Sequence, residues 1–207
     1  MRIYLVRHGE TENNAKNTYA PPEDELSSLG HNQAQTLAKR FASLPVDLII
    51  SSPYQRAKQT AFEIQKIAKK EIQFDDNLIE IIRPSDFIGL RINDPHAIKV
   101  KKLFELNQDD PSWHYSDEEN FFDIKARAEK FLQSLDKFKE EKIVVVTHAF
   151  FMKLLLSVML FEAKLTPVVF FKLYNFLVIL NTGITICEKD KNGAWQLVTW
   201  NDHAHLG

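Results

Sequence analysis

The chain has 207 residues, of which 44% are hydrophobic and 26% charged, with a formal net charge of -2 at pH 7. This composition is typical of a globular protein, and the length suits one domain with a sizeable core. Nucleic-acid-binding proteins usually carry a basic excess, so the near-neutral charge argues against nucleic acid as the partner.

Cysteine use and hydropathy indicate the compartment. Cys187 is the only cysteine and has no internal disulfide partner, which favours a reducing environment and a buried position. The apolar segments 149–161 and 168–180 are well short of the roughly 20 residues of a membrane span, and each contains a lysine. The apolar start of the chain is too short for a signal peptide. We therefore expect a cytoplasmic protein that does not associate with membranes.

The first half of the chain alternates strand and helix patterns. The apolar run 3–6 predicts a buried strand, and residues 26–44 show helical spacing of apolar positions. A second buried strand is predicted at 46–50, followed by a helix at 53–70 with Pro53 in its first turn. The face predicted for the helix at 26–44 is Leu29, Gln33, Leu37, Phe41 and Leu44.

The second half continues the alternation after an interruption. Residues 83–118 read as an insertion with one helix near 95–108, and helical spacing returns at 119–141. A third buried strand is predicted at 142–147, and an Asn-Gly turn within 183–200 predicts a hairpin at a sheet edge. These elements predict a three-layer α/β/α fold with a mainly parallel central sheet, an antiparallel edge hairpin and an insertion over the site.

Polar side chains follow each of the three predicted parallel strands. Arg7 and His8 follow the first strand, and Arg56 lies on the first turn of the helix after the second. His148 follows the third strand. Because the carboxyl ends of parallel strands meet at one edge, these four residues are expected to converge on one ligand site. Two guanidinium groups and two imidazoles suit phosphate or a phosphoryl group.

The residue types favour histidine chemistry without a metal. The chain has no aspartate cluster that would hold magnesium, and no HExxH or cysteine set that would hold zinc. An arginine beside a histidine also disfavours a bound cation. A neutral imidazole is nucleophilic and can form a transient phosphohistidine, so phosphoryl transfer to histidine is indicated.

Five blocks of the sequence resemble the histidine phosphatase superfamily, the phosphoglycerate mutase-like proteins. The first, "LVRHGETENN", is similar to the family signature R-H-G-[EQ]-[ST]-x-x-N, and "SSPYQRAKQTA" resembles the second block, S-x-x-x-R-A-x-Q-T-A. "NLIE", "VVVTHAFF" and "WNDHAHL" are similar to the glutamate block, the second-histidine block and a common C-terminal ending. The blocks occur in the family order across nearly the whole chain.

The resemblance implies a role for each matched residue. His8 would attack phosphorus, and Glu80 would protonate the leaving group and then activate water. The phosphoryl oxygens would be held by Arg7, Arg56, His148 and Asn14. Thr11 would either donate a hydrogen bond to phosphate or cap a helix. Ala149 replaces the usual glycine after the second histidine, and its backbone N–H is expected to remain available to the substrate.

The predicted function is a metal-independent phosphomonoesterase, without a cofactor, acting on a small phosphorylated molecule. Phosphoryl transfer of the mutase type is the alternative, and a non-catalytic phospho-ligand binding module is a third possibility. Residues 81–118 are expected to overhang the site as a lid. With Trp113, His114 and Tyr115 they would choose the leaving group. The arginines, Arg83 and Arg91, would hold a second phosphate, whereas the aromatic side chains would favour aryl or nucleoside-like esters. The alternative for Trp113 and Tyr115 is that they anchor the loop by packing. The segment 168–180 would serve either a homodimer or the core.

Overall fold

The structure is a computed structural model that describes all 207 residues and centres on one six-stranded sheet. The sheet order is β3-β2-β4-β1-β5-β6. The first four strands in this order run parallel, and β5 is antiparallel to both β1 and β6. The strands are β1 (Arg2–Arg7), β2 (Leu48–Ser51), β3 (Ile72–Phe74), β4 (Lys142–Thr147), β5 (Ile184–Lys189) and β6 (Trp195–Asp202).

Seven α-helices surround the sheet, and none is long and apolar enough to cross a membrane. They are α1 (Glu12–Lys16), α2 (Ser28–Arg40), α3 (Gln55–Ala68), α4 (Pro95–Leu106), α5 (Phe121–Leu135), α6 (Ala149–Phe161) and α7 (Pro167–Phe176). Short 3₁₀ turns lie at Asp76–Leu78, Ser85–Phe87, Glu162–Lys164 and Ala204–Leu206.

Successive side chains of β1 point to opposite faces of the sheet, and each face is covered by a separate hydrophobic core. Ile3 and Leu5 face α5, α6 and α7, whereas Tyr4 and Val6 face α2 and α3. The predicted three-layer fold with a mainly parallel sheet and an edge hairpin is therefore confirmed. Cys187 lies in the larger core, where burial raises the pKa of its thiol to about 12.

One strand was missed, and two local predictions were wrong. The missed strand is β3, a three-residue edge strand that exposes Gln73 and Phe74 and has no continuous apolar run. Pro53 precedes α3 instead of lying in its first turn, since Tyr54 occupies the N-cap position. Leu29 is 53% exposed, and α2 instead turns Gly30 toward the protein.

The N-terminus of α2 packs directly on the backbone of the loop after β1. A Cβ atom on Gly9 would lie 2.6 Å from the Gly30 carbonyl oxygen, and one on Gly30 would overlap the carbonyl group of Glu10. The Ser27 N–H donates to that Glu10 oxygen at 2.9 Å, and the Ser27 hydroxyl caps the helix by accepting from the Gly30 N–H. Two glycines therefore let α2 hold the loop that follows His8.

The segment 83–118 contains α4 and a small core of its own. Phe87, Ala97 and Val100 form that core, and Tyr115 packs against it. The Trp113 ring packs edge-on against Phe104, with centroids 5.8 Å apart. Trp113 and Tyr115 therefore anchor the segment by packing.

Candidate active site

The neighbouring strands β1 and β4 bring His8 and His148 together. Arg7 pairs with Thr147 in the parallel register, so the two histidines follow their strands at the same level of the sheet. The His8 N–H donates to the Thr147 carbonyl at 3.0 Å. Both histidines are buried, and their ring centroids are 5.0 Å apart.

The imidazole of His8 is held in one tautomer. Its Nδ1 lies 2.7 Å from the Gly9 carbonyl oxygen, which only accepts, so Nδ1 carries the proton and Nε2 keeps its lone pair. Burial, and then the charges of Arg56 and Arg7, lower the pKa of His8 well below its usual 6.5. The ring is therefore neutral near pH 7.

The two arginines present unused donors in a buried setting. Arg7 Nη1 donates to the Ile179 carbonyl at 2.8 Å, while its buried Nε has no partner. Arg56 Nη1 donates to the Pro21 carbonyl at 3.0 Å. Burial lowers the pKa of both guanidinium groups from its ordinary value, yet an arginine stays charged at neutral pH. The remaining N–H groups suit an anion.

His148 lies behind the open part of the site at the N-cap of α6. Its Nε2 is 2.9 Å from the Ser52 hydroxyl, and its buried Nδ1 has no hydrogen-bond partner. Burial, followed by the charge of Arg56, lowers the pKa of His148 well below 6.5. The Tyr54 ring packs edge-on to it at 5.3 Å and also lies 5.1 Å from the Arg56 guanidinium carbon.

Glu80 lines the same cavity as the two arginines, and its carboxylate lies at the N-terminus of α6. Its Oε1 accepts from the N–H groups of Ile81 at 3.0 Å and Phe151 at 3.1 Å, and its Oε2 accepts from the Phe150 N–H at 3.2 Å. Its negative charge acts on both arginines in the direction that raises their pKa. The helix N-terminus thus stabilises a carboxylate next to the cationic pocket.

Thr11 and Asn14 form the capping box of α1. The Thr11 hydroxyl accepts from the Asn14 N–H at 3.1 Å, and Thr11 is fully buried. Of the two roles expected for Thr11, the structure shows the helix cap. Asn181 links this helix to the histidine, since its Nδ2 donates to the His8 carbonyl at 2.9 Å and to Asn14 Oδ1 at 3.3 Å.

Several of these groups line an open cavity of about 420 Å³. The predicted site residues that line it are Arg7, His8, Asn14, Arg56, Glu80 and Ala149. Thr11 and His148 do not line the cavity.

The insertion also contributes to the lining of the cavity. It supplies Arg83, Ser85, Ile88, Ile92 and Asp117, but Arg91, Trp113, His114 and Tyr115 do not line the cavity. Tyr54 and Tyr174 also line the cavity, and Ser52 and Asn181 lie behind it; these four residues were not predicted from the sequence. Tyr54 and Ser52 lie inside the "SSPYQR" block, whereas no motif marks Tyr174 or Asn181.

The fold is a three-layer α/β/α fold that places two arginines and two histidines at the carboxyl edge of a mainly parallel sheet, as suits a protein that binds a phosphoryl group. Residues 3–203 match the family model of the histidine phosphatase superfamily (branch 1). The chain belongs to this superfamily, as the sequence blocks predicted, and it is a phosphatase.

Individual relatives agree with this assignment. The chain is 32% identical to a probable phosphatase of Schizosaccharomyces pombe, over 98% of this chain and 70% of that protein. Its structure matches YhfR of Bacillus stearothermophilus with a TM-score of 0.83 and 26% identity, covering 100% of this chain and 99% of that one. A phosphoserine phosphatase of Entamoeba histolytica, solved with phosphoserine, matches with a TM-score of 0.80, 26% identity and the same coverage of 100% and 99%.

Proposed function

We propose that the protein is a metal-independent phosphomonoesterase that works through a phosphohistidine on His8. The observation that carries the proposal is the bond from Nδ1 to the Gly9 carbonyl, which leaves a lone pair on Nε2 of a neutral ring. His8 lines the same cavity as Arg7 and Arg56, whose free N–H groups would hold the phosphoryl oxygens as negative charge develops.

The two half-reactions balance with Glu80 as acid and then base. The Nε2 lone pair forms a bond to phosphorus while the ester P–O bond breaks, and Glu80 gives its proton to the leaving oxygen. Glu80 then takes a proton from the attacking water, the P–N bond breaks, and inorganic phosphate leaves. The N–H groups of Phe150, Phe151 and Ile81 stabilise the carboxylate between the two steps.

The other predicted residues support the phosphoryl group or its surroundings. Asn14 and Ala149 line the cavity and would contribute an amide and a backbone N–H. His148 would act from behind, through its contact with the His8 ring. The two buried guanidinium groups disfavour a cation beside the histidines, which supports catalysis without a metal.

The insertion takes part in substrate selection. We regard residues 1–207 as one catalytic unit in which the segment 83–118 forms a lid that selects the leaving group. Arg83 supports this role, since it lines the cavity with its guanidinium carbon 4.9 Å from the Phe150 ring centroid. A cation at that place favours a small phosphorylated substrate with a second anionic group, such as a carboxylate. The phosphoserine bound to the Entamoeba relative is one such molecule.

Phosphate release from para-nitrophenyl phosphate in EDTA tests the proposal. We expect His8→Ala to abolish turnover, and wild-type protein quenched during turnover of radiolabelled substrate to carry an acid-labile label that His8→Ala lacks. Turnover that survives His8→Ala, or that depends on added metal, would contradict the mechanism. Transfer of the label to an organic acceptor instead of water would identify the mutase alternative.

A further inference from the structure

Arg127 lies on α5, outside the cavity, yet it binds the loop that carries Glu80. Its Nη1 donates to the carbonyl groups of Asn77 at 2.9 Å and Ile79 at 2.8 Å, and its Nη2 reaches the Glu80 carbonyl at 3.4 Å. Three carbonyl groups within four residues therefore converge on one guanidinium group. None of them belongs to a regular strand or α-helix that would hold it otherwise.

Glu119 completes this arrangement on the other side of Glu80. Its carboxylate forms a two-pronged ion pair with Arg127, at 2.8 Å to Nε and 2.7 Å to Nη2. The same carboxylate accepts from the Ile82 N–H at 3.0 Å, and the Glu119 N–H donates to the Ile82 carbonyl at 3.1 Å. The pair thus fixes the backbone both before and after Glu80.

The ion pair is also in contact with the helix that binds the Glu80 carboxylate. The Arg127 guanidinium carbon lies 4.8 Å from the centroid of the Phe151 ring, and the Phe151 N–H donates to Glu80 Oε1. The side chains of Arg127 and Glu119 are only 12% and 13% exposed. A buried, bidentate pair with several further hydrogen bonds restricts movement far more than an exposed pair does.

We propose that Arg127 and Glu119 are positioning residues that hold Glu80 at the distance needed to protonate the leaving group. This inference rests on the acid role assigned to Glu80 above. Neither side chain lines the cavity, so their effect passes through the backbone of residues 77–82. A displacement of about 1 Å in a catalytic group costs on the order of a hundredfold in rate.

The leaving group distinguishes positioning of an acid from general support of the fold. A dinitrophenolate leaves without a proton, whereas an alkoxide needs one. The value of kcat/KM reports steps up to release of the alcohol, so it isolates the step in which Glu80 donates. We would measure it for dinitrophenyl, para-nitrophenyl and propyl phosphate with wild-type protein and the variants Arg127→Met, Glu119→Gln and Glu80→Gln.

Lys125→Met is the matched control. Lys125 is on the same helix, is 17% exposed, and bonds to the Leu165 carbonyl and to Glu129, away from the Glu80 loop. We expect Arg127→Met to lower kcat/KM for propyl phosphate by about tenfold to a hundredfold and to change it by less than about threefold for dinitrophenyl phosphate. Glu119→Gln should show the same dependence with a smaller loss, and Lys125→Met should show none.

Each outcome separates this inference from the proposal on which it rests. Should Glu80→Gln lose activity equally with every leaving group, the acid role of Glu80 fails. Should Glu80→Gln show the dependence while Arg127→Met and Glu119→Gln do not, only the positioning role fails. An equal loss with all three substrates in Arg127→Met would mark the pair as a general support of the fold. If Arg127→Met does not fold, Glu119→Gln alone decides.

Discussion

A single hydrogen bond determines which nitrogen of His8 is free to react. Since Gly9 supplies the accepting carbonyl, the bond is made within the same loop and is independent of the substrate. Burial and the nearby charges of Arg56 and Arg7 then keep the ring neutral by lowering its pKa. Burial thus destabilises the protonated, charged ring and favours the neutral ring, which is the nucleophilic form.

The lowered pKa of the His8 ring can be measured by titration. We expect the His8 ring of the wild-type protein to remain neutral at pH 6, where an ordinary histidine is mostly protonated. Arg56→Met should raise the pKa of His8 toward 6.5, because it removes the larger of the two charge contributions. NMR titration of the labelled His8 ring measures the pKa in the wild-type protein and in Arg56→Met. A wild-type pKa near 6.5 would contradict the burial argument.

At the scale of elements, the close contact between α2 and the loop after β1 is the feature most sensitive to a small change. Gly30→Ala would bring a Cβ atom into the carbonyl group of Glu10, and backbone cannot move aside as a flexible side chain does. We expect a loss of about 1–3 kcal/mol in the free energy of unfolding, as for other overpacked sites, and a lower kcat as the His8 loop shifts.

Urea unfolding and turnover of para-nitrophenyl phosphate would measure these two effects of Gly30→Ala. Ser28→Ala, at an exposed position in the same helical turn, is the control and should change neither. Wild-type stability in Gly30→Ala would show that the helix and the loop can separate without cost.

The elements also show which parts of the structure can be predicted from the sequence. The strand at 142–147 was predicted at its observed bounds because a fully buried parallel strand has an unbroken apolar run. β3 lacks such a run, and α3 begins at Gln55, two residues after Pro53, although Tyr54 at the N-cap position makes no side-chain capping hydrogen bond. The site residues at strand ends were predictable since topology alone brings them together. Asn181 and Arg127 were not, because their contacts exist only after distant segments have packed.

For the whole molecule, two buried histidines with lowered pKa values make stability depend on pH. The unfolded chain binds protons at His8 and His148 below about pH 6.5, while the folded protein resists protonation there. The unfolded state therefore gains protons first, and the free energy of unfolding falls as the pH drops below 6.5. Each histidine contributes up to about 1.4 kcal/mol per pH unit.

Urea denaturation between pH 7.5 and pH 5 would measure this slope. Because other groups titrate in the same range, the slopes of wild-type protein and His8→Asn have to be compared. The free energy of unfolding of His8→Asn should fall less steeply as the pH drops. Ser28→Ala, at an exposed position without a titrating side chain, is the control and should leave the slope unchanged. Equal slopes in wild-type protein and His8→Asn would mean that His8 has the same pKa in the folded and unfolded chain.

The burial of the Cys187 thiol affects the sensitivity of this phosphatase to oxidants. Peroxide and alkylating reagents attack thiolates, and a pKa of about 12 keeps this single sulfur protonated as well as covered. The proposed nucleophile is an imidazole, which peroxide oxidises far less readily. Dephosphorylation by this protein should therefore continue under oxidative conditions that inactivate phosphatases with a catalytic cysteine.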